Sequence, residues 1–99
     1  MHDETESDVI ISLLTEADVP PKAGFRPAFP LPVIVRTLEE EVWASAVEGH
    51  GQGSTEAEAK ADLWLILEED YQFLLKHKAK LGMNRLSRLA QLSKLLERK

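Results

Sequence analysis

The sequence predicts a small α+β domain, with a three-stranded antiparallel sheet packed on one long helix and a further helix at the C-terminal end. Three observations carry this expectation. Residues 33–38 are rich in β-branched side chains and residues 42–47 alternate, as a pair of strands does. Thr55 followed three positions later by Glu58 has the form of a capping box at a helix start. Beyond it, apolar residues recur at helical spacing from Ala59 to Leu75. Ninety-nine residues suit one domain with one modest core, and 43% hydrophobic content argues against global disorder.

Residues 1–8 are polar and acidic and are expected to fray. Val9-Ile10-Ile11-Ser12-Leu13-Leu14 is an apolar run whose length suits a strand or a helical turn equally. All five prolines fall between Pro20 and Pro32. Each removes an amide donor and restricts its predecessor, so this stretch is expected to be an extended linker. Phe25 and Phe29 within it either anchor the linker to the body or belong to a partner-facing patch.

The first strand spans residues 33–38, Glu39-Glu40-Glu41 is a charged turn, and residues 42–47 return as the second strand. Val42, Ala44 and Ala46 share one face, and the two alanines leave room there for a helix; Trp43, Ser45 and Val47 share the other. Glu48-Gly49 offers a second turn, and His50 to Gly53 is at most a short third strand whose glycines loosen the backbone. The long helix follows Thr55 and is expected to run to about Leu81. Ala59, Leu63, Ile66, Leu67 and Leu74 line one face; Ala57, Ala61, Trp64, Tyr71 and Leu75 line an adjoining one. That arc is wider than a helix on one sheet needs, so a second contact is expected.

Gly82 ends or bends the helix and Asn84 caps the next, where Leu86, Leu89, Leu92 and Leu96 form a stripe suited to the second face of the long helix. The chain thus divides into residues 1–29, 30–80 and 81–99. Trp43, Trp64, Tyr71, Leu75, Leu86 and Leu89 are the candidate residues for a partner or oligomer interface.

The net charge of −5 conceals an asymmetry. Residues 1–75 hold 4 basic and 16 acidic side chains, a balance of −12, whereas residues 76–99 hold 8 basic and 1 acidic, a balance of +7. A basic segment of this kind binds nucleic acid or an acidic partner, folds back on the acidic body, or complements that body in a dimer. Arg85, Arg88, Lys94 and Arg98 are the candidate nucleic-acid contacts. No aromatics are interleaved with these basic residues, and no helix-turn-helix pattern is present.

The sequence points away from catalysis and from cofactors. Cysteine is absent, which removes disulfides and thiolate metal sites and is compatible with a reducing cytoplasm. His2, His50 and His77 have no metal-binding spacing, and no His-Glu-x-x-His motif occurs. His50 could serve as a base, but a solvated histidine is the simpler reading. Gly49-His50-Gly51-Gln52-Gly53 lacks the Gly-Lys-Ser/Thr ending of a phosphate loop, and Glu56 and Glu58 put negative charge where a phosphate would sit. The acidic start is unlike a secretory signal, and no apolar run approaches membrane-spanning length, so a cytoplasmic location without membrane contact is expected.

The order strand, charged turn, strand, short Gly-containing strand, Ser/Thr cap, Glu-Ala and long helix resembles the HicB-like antitoxin family. Gly53-Ser54-Thr55-Glu56-Ala57-Glu58-Ala59 supplies the joint typical of that family, and Leu63, Ile66 and Leu67 match the helix positions after it. Residues 32–35 match the opening strand and residues 41–47 the second. The resemblance covers roughly residues 30–78. The Pro-x-Leu-Pro-Gly stretch usual between strands two and three is replaced by Val47-Glu48-Gly49-His50, and residues 81–99 read as one leucine-striped helix where the family carries a DNA-binding domain. The resemblance implies a partial double-stranded-RNA-binding-like fold, often oligomeric, that neutralises a small ribonuclease toxin by covering its active site. The leading expectation is therefore a non-enzymatic protein-binding module with a basic partner. The alternatives are a homo-oligomeric structural module and a nucleic-acid binder using the C-terminal helix.

Overall fold

A computed structural model describes residues 8–99. Its organising contact lies between a glycine strand and a helix. The strands of the main sheet are β1 (Asp8–Leu14), β3 (Leu31–Leu38), β4 (Glu41–Ala46) and β5 (Gly49–Gly53), antiparallel and adjacent in that order. Helix α1 (Glu56–Lys76) lies on the β4–β5 side of this sheet. Register places Ile10, Val35, Ala44 and Gly51 in one row across the sheet, and Ser12 beside Val33 in the next. These residues define the helix-side face.

On β5 that face consists of Gly49, Gly51 and Gly53, with no side chain at all. A Cβ on Gly51 would lie 2.2 Å from the Leu63 amide nitrogen and 2.5 Å from the Ala59 carbonyl oxygen. None of the glycines has a positive φ. Gly51 and Gly53 are therefore present for close approach to the helix backbone, and not for the looseness expected of them, whereas Gly49 faces the side-chain ends of Leu63 and Leu67. Ala44 and Ala59 are fully buried in the same contact, so the alanines on β4 admit the helix as expected. Leu63, Trp64 and Leu67 on α1, Val33 on β3 and Leu14 on β1 complete the centre of the core. Each fully buried leucine is worth about 2–5 kcal/mol by truncation.

The sheet has four strands where three were expected, because residues 8–14 join it as an edge strand. The acidic start expected to fray lies outside the described residues except for Asp8, where β1 begins. After β1, Thr15 caps a short 3₁₀ turn (Glu16–Asp18), with Asp18 reciprocating through the Thr15 amide. The proline-rich stretch is more than a linker. It contains β2 (Phe25–Pro27) and the first residues of β3. Phe25 is buried and anchors the stretch, whereas Phe29 is half exposed.

The Thr55 cap forms as expected: its Oγ1 accepts the Glu58 amide at 3.1 Å. Glu58 in return accepts from Ser54, and not Thr55, at 2.8 Å. Helix α1 stops at Lys76, short of Leu81, and a 3₁₀ turn (Lys78–Lys80) follows. Helix α2 (Met83–Leu95) begins after Gly82, which occupies the cap position expected for Asn84, with no side-chain cap. It folds back on α1, burying Leu89 and Leu92. The expected helix over 81–99 ends early, because residues 96–98 form β6 (Leu96–Arg98), which pairs with β2 in a second, two-stranded sheet. Flanking bonds run from the Ala28 amide to Leu95 and from the Lys99 amide to Gly24.

Candidate interaction surface

The face of the main sheet away from α1 is where the alternation fails. An antiparallel sheet with one covered face ordinarily turns polar residues outward. Here the outward positions of β1 are Val9, Ile11 and Leu13, and those of β3 are Pro32, Ile34, Arg36 and Leu38. Ile11 is 78% exposed, and Val9, Leu13, Ile34 and Leu38 are each about half exposed. Register aligns Val9, Arg36, Trp43 and Gln52 in one row and Ile11, Ile34, Ser45 and His50 in the next. The open face is thus apolar over β1 and β3 except at the exposed Arg36, which stands between Val9 and Trp43, and it turns polar at β5. Val9, Ile11, Leu13 and Ile34 form an apolar surface interrupted only by Arg36 before Trp43, and such a surface marks an interaction site more often than scattered exposed leucines do.

The polar end holds a Ser45 Oγ–His50 Nδ1 hydrogen bond of 3.0 Å on an exposed surface. This pair links neighbouring strands β4 and β5. Among the described residues no three histidine or carboxylate side chains are grouped to hold a metal ion.

Of the six residues expected at an interface, four converge. Tyr71 and Leu75 from α1, with Leu86 and Leu89 from α2, line a shallow, largely apolar cleft of about 400 Å³. Tyr71 also packs edge-on against Phe25, with ring centroids 5.4 Å apart. Leu89 forms the buried floor, whereas Leu75 and Leu86 remain about 40% exposed. Trp43 is elsewhere, on the open sheet face. Trp64 corrects the expectation: it is fully buried, and its indole N–H donates to the Phe25 carbonyl at 3.1 Å. The second contact expected for the wide apolar arc of α1 comes from within the chain, from α2 and from Phe25 of β2.

The four basic candidates do not share one surface. Arg88 is held by Asp70 at 2.8 Å and also donates to the Val47 carbonyl, so part of the basic segment folds back on the acidic body. That carbonyl belongs to the β4–β5 turn, where Val47 and Glu48 both have positive φ, 51° and 62°. The guanidinium of Arg98 lies 5.0 Å over the Phe25 ring, in β6 and not on a helix. Arg85 and Lys94 are exposed on α2.

What sequence reading missed is the combination of β1 and the open face. The signal was present in Val9-Ile10-Ile11-Ser12-Leu13-Leu14, a run with too few polar residues for a strand exposed on one face. A network of polar side chains fixes β1 to α1. Lys60, 7% exposed, donates to the Leu13 carbonyl at 3.0 Å and pairs with Glu56 at 3.1 Å. Ser12 Oγ donates to Glu56 at 2.6 Å. The Ser12 hydrogen bond, and after it the Lys60 ammonium, hold the Glu56 carboxyl below its ordinary value near 4.5. No described helix is long and apolar enough to cross a membrane. Compared with known protein families, curated proteins and solved structures, the chain gives no match to any of them.

Proposed function

We propose that this chain is a non-enzymatic protein-binding module of the HicB-like antitoxin type, whose partner docks on the open face of the main sheet. The observation that carries the docking surface is the run of exposed Val9, Ile11, Leu13, Ile34 and Leu38 around Trp43, where a solvated sheet would be polar. The antitoxin reading is supported by the β3–β4–β5–α1 order and by the Thr55 cap, which are the features of the resemblance. The −12 balance of residues 1–75 supports a basic partner such as a small ribonuclease toxin, since complementary charge speeds encounter and excludes acidic competitors. Within the patch, Trp43 supplies a large rigid anchor of the type that dominates binding energy.

Affinity capture from the native host tests this reading. Wild-type bait should retain a small basic protein, and Ile34→Asp together with Trp43→Ala should lose it while keeping the circular dichroism of the fold. Capture of the same protein by wild type and double variant alike would move the partner off this face. Capture of nothing at low salt would count against the antitoxin reading itself.

A further inference from the structure

We propose that two copies of this chain pair through β1, edge to edge and antiparallel about a two-fold axis at Ile11, joining their main sheets into one of eight strands. Three observations point to a second copy as the occupant. First, β1 is an edge strand with the sequence of a central one. It carries exposed apolar residues on both faces, with Val9, Ile11 and Leu13 outward and Ile10, 51% exposed, on the helix side. The strand itself has no proline, glycine or lysine, the residues that ordinarily keep an edge from pairing, and Lys60 of α1 reaches it only at Ser12 and the Leu13 carbonyl.

Second, the opposite edge is blocked. β5 is short and glycine-rich, and its Gln52 amide already donates to Asp62 of α1 at 3.0 Å. Among the described residues the main sheet therefore offers one available edge, and pairing through it closes at two copies instead of extending into a fibre.

Third, β1 is complementary to itself. A two-fold axis at Ile11 sets all seven residues opposite seven, with Val9 facing Leu13 of the other copy and Ile11 facing Ile11. Ile10 then lies opposite Ser12, and Asp8 opposite Leu14, so within β1 no two acidic residues are paired across the axis. The Leu13 carbonyl, which accepts from Lys60, keeps a second lone pair for the pairing. A strand of seven residues is about 23 Å long. Alone it covers less than the roughly 800 Å² per partner of a standard interface, so the dimer should be concentration-dependent. It would leave the open faces of both copies side by side and free, independent of what docks there.

The chain has no cysteine, which makes the test direct. A single cysteine at Ile11 would face its own copy across the axis at a Cα separation of about 4.5–5.5 Å, within disulfide range. Light scattering between about 1 µM and about 1 mM should show wild type doubling in mass, spanning the weak-affinity range. Ile11→Lys should stay at monomer mass with an unchanged melting temperature when dilute, because the side chain is exposed. Ile11→Cys should give a disulfide dimer under mild oxidation at least tenfold faster than Met83→Cys, which is 82% exposed on α2. A wild-type monomer at about 1 mM would overturn the proposal. So would a dimer that survives Ile11→Lys, or equal cross-linking at the two positions. Partner capture through Ile34 and Trp43 is unaffected by any of these results, so this proposal and the docking reading fail separately.

Discussion

Replacing Gly51 by alanine should damage this fold more than any other single-methyl addition to its glycines. The new Cβ would sit 2.2 Å from the Leu63 nitrogen, 2.5 Å from the Ala59 oxygen and 2.7 Å from the Leu63 Cα. All three are backbone atoms of α1, so no rotamer change relieves the clash and the helix itself must move off the sheet by about 1 Å or more. Overpacking that side chains can absorb costs about 1–3 kcal/mol. This case belongs at or above the upper limit, about 3 kcal/mol, against a total stability of about 5–15 kcal/mol for a domain of this size. With a urea slope of about 1.5 kcal/mol/M, the midpoint should fall by about 2 M with the slope unchanged. Gly49→Ala presses on the ends of Leu67 and Leu63, at 3.0 and 3.2 Å, with the Ala46 oxygen at an ordinary contact of 3.4 Å, and should lose less. Gly82→Ala meets nothing within 4 Å and should lie within about 0.5 kcal/mol of wild type. A Gly51→Ala midpoint equal to wild type, or an equal loss at Gly82, would refute the close-approach reasoning.

Other outcomes follow from single contacts. Trp64→Phe removes the donor to the Phe25 carbonyl and leaves a small cavity, so urea denaturation should show a loss of about 2 kcal/mol. Lys60→Met leaves the Leu13 carbonyl and the Glu56 and Asp18 carboxylates without their shared cation; it should cost about 3 kcal/mol, with hydrogen exchange rising first in β1. Glu56 has its carboxyl pKa depressed in the folded chain, so its contribution is present above pH 4.5 and is lost as pH falls through the lower folded value. Acid melting curves of Glu56→Gln should accordingly be flatter than wild type below pH 4.5. Glu48→Gly relieves a positive φ at an exposed turn position and should raise stability by about 1 kcal/mol in the same urea assay.

Much of the central unit was legible because local chemistry dictated it. The Thr55 cap, the alanines on β4 and the apolar face at Leu63 and Leu67 each needed only near neighbours to be read. The period-two glycines of β5 were read as looseness, because only the folding of the helix backbone at Ala59 and Leu63 back onto Gly51 requires them, and that approach has no signature of its own. β1 was ambiguous for the same reason: six apolar-rich residues fit a strand or a helical turn, and only the register with β3 decides. The end of α2 was misjudged at Leu96, whose spacing continues the leucine stripe while its backbone turns to meet Pro27. Tyr71, Leu75, Leu86 and Leu89 meet in one cleft because helical periodicity sets which residues share a face. Trp64 was misplaced because periodicity does not say which faces the chain itself will cover.

The two-stranded clasp of β2 and β6 also bears on the order in which the chain acquires its shape. Arg26 and Glu97, which meet at 3.3 Å, are 71 positions apart. During synthesis the β3–β4–β5–α1 unit can assemble from contiguous sequence, whereas β2 has no partner until residues 96–98 have left the ribosome. Closing so long a loop is entropically slow relative to the local hairpins. Phe25, the acceptor for Trp64 and the platform for Tyr71 and Arg98, is therefore expected to be among the last core residues to settle, leaving the indole of Trp64 wet until the C-terminal residues arrive.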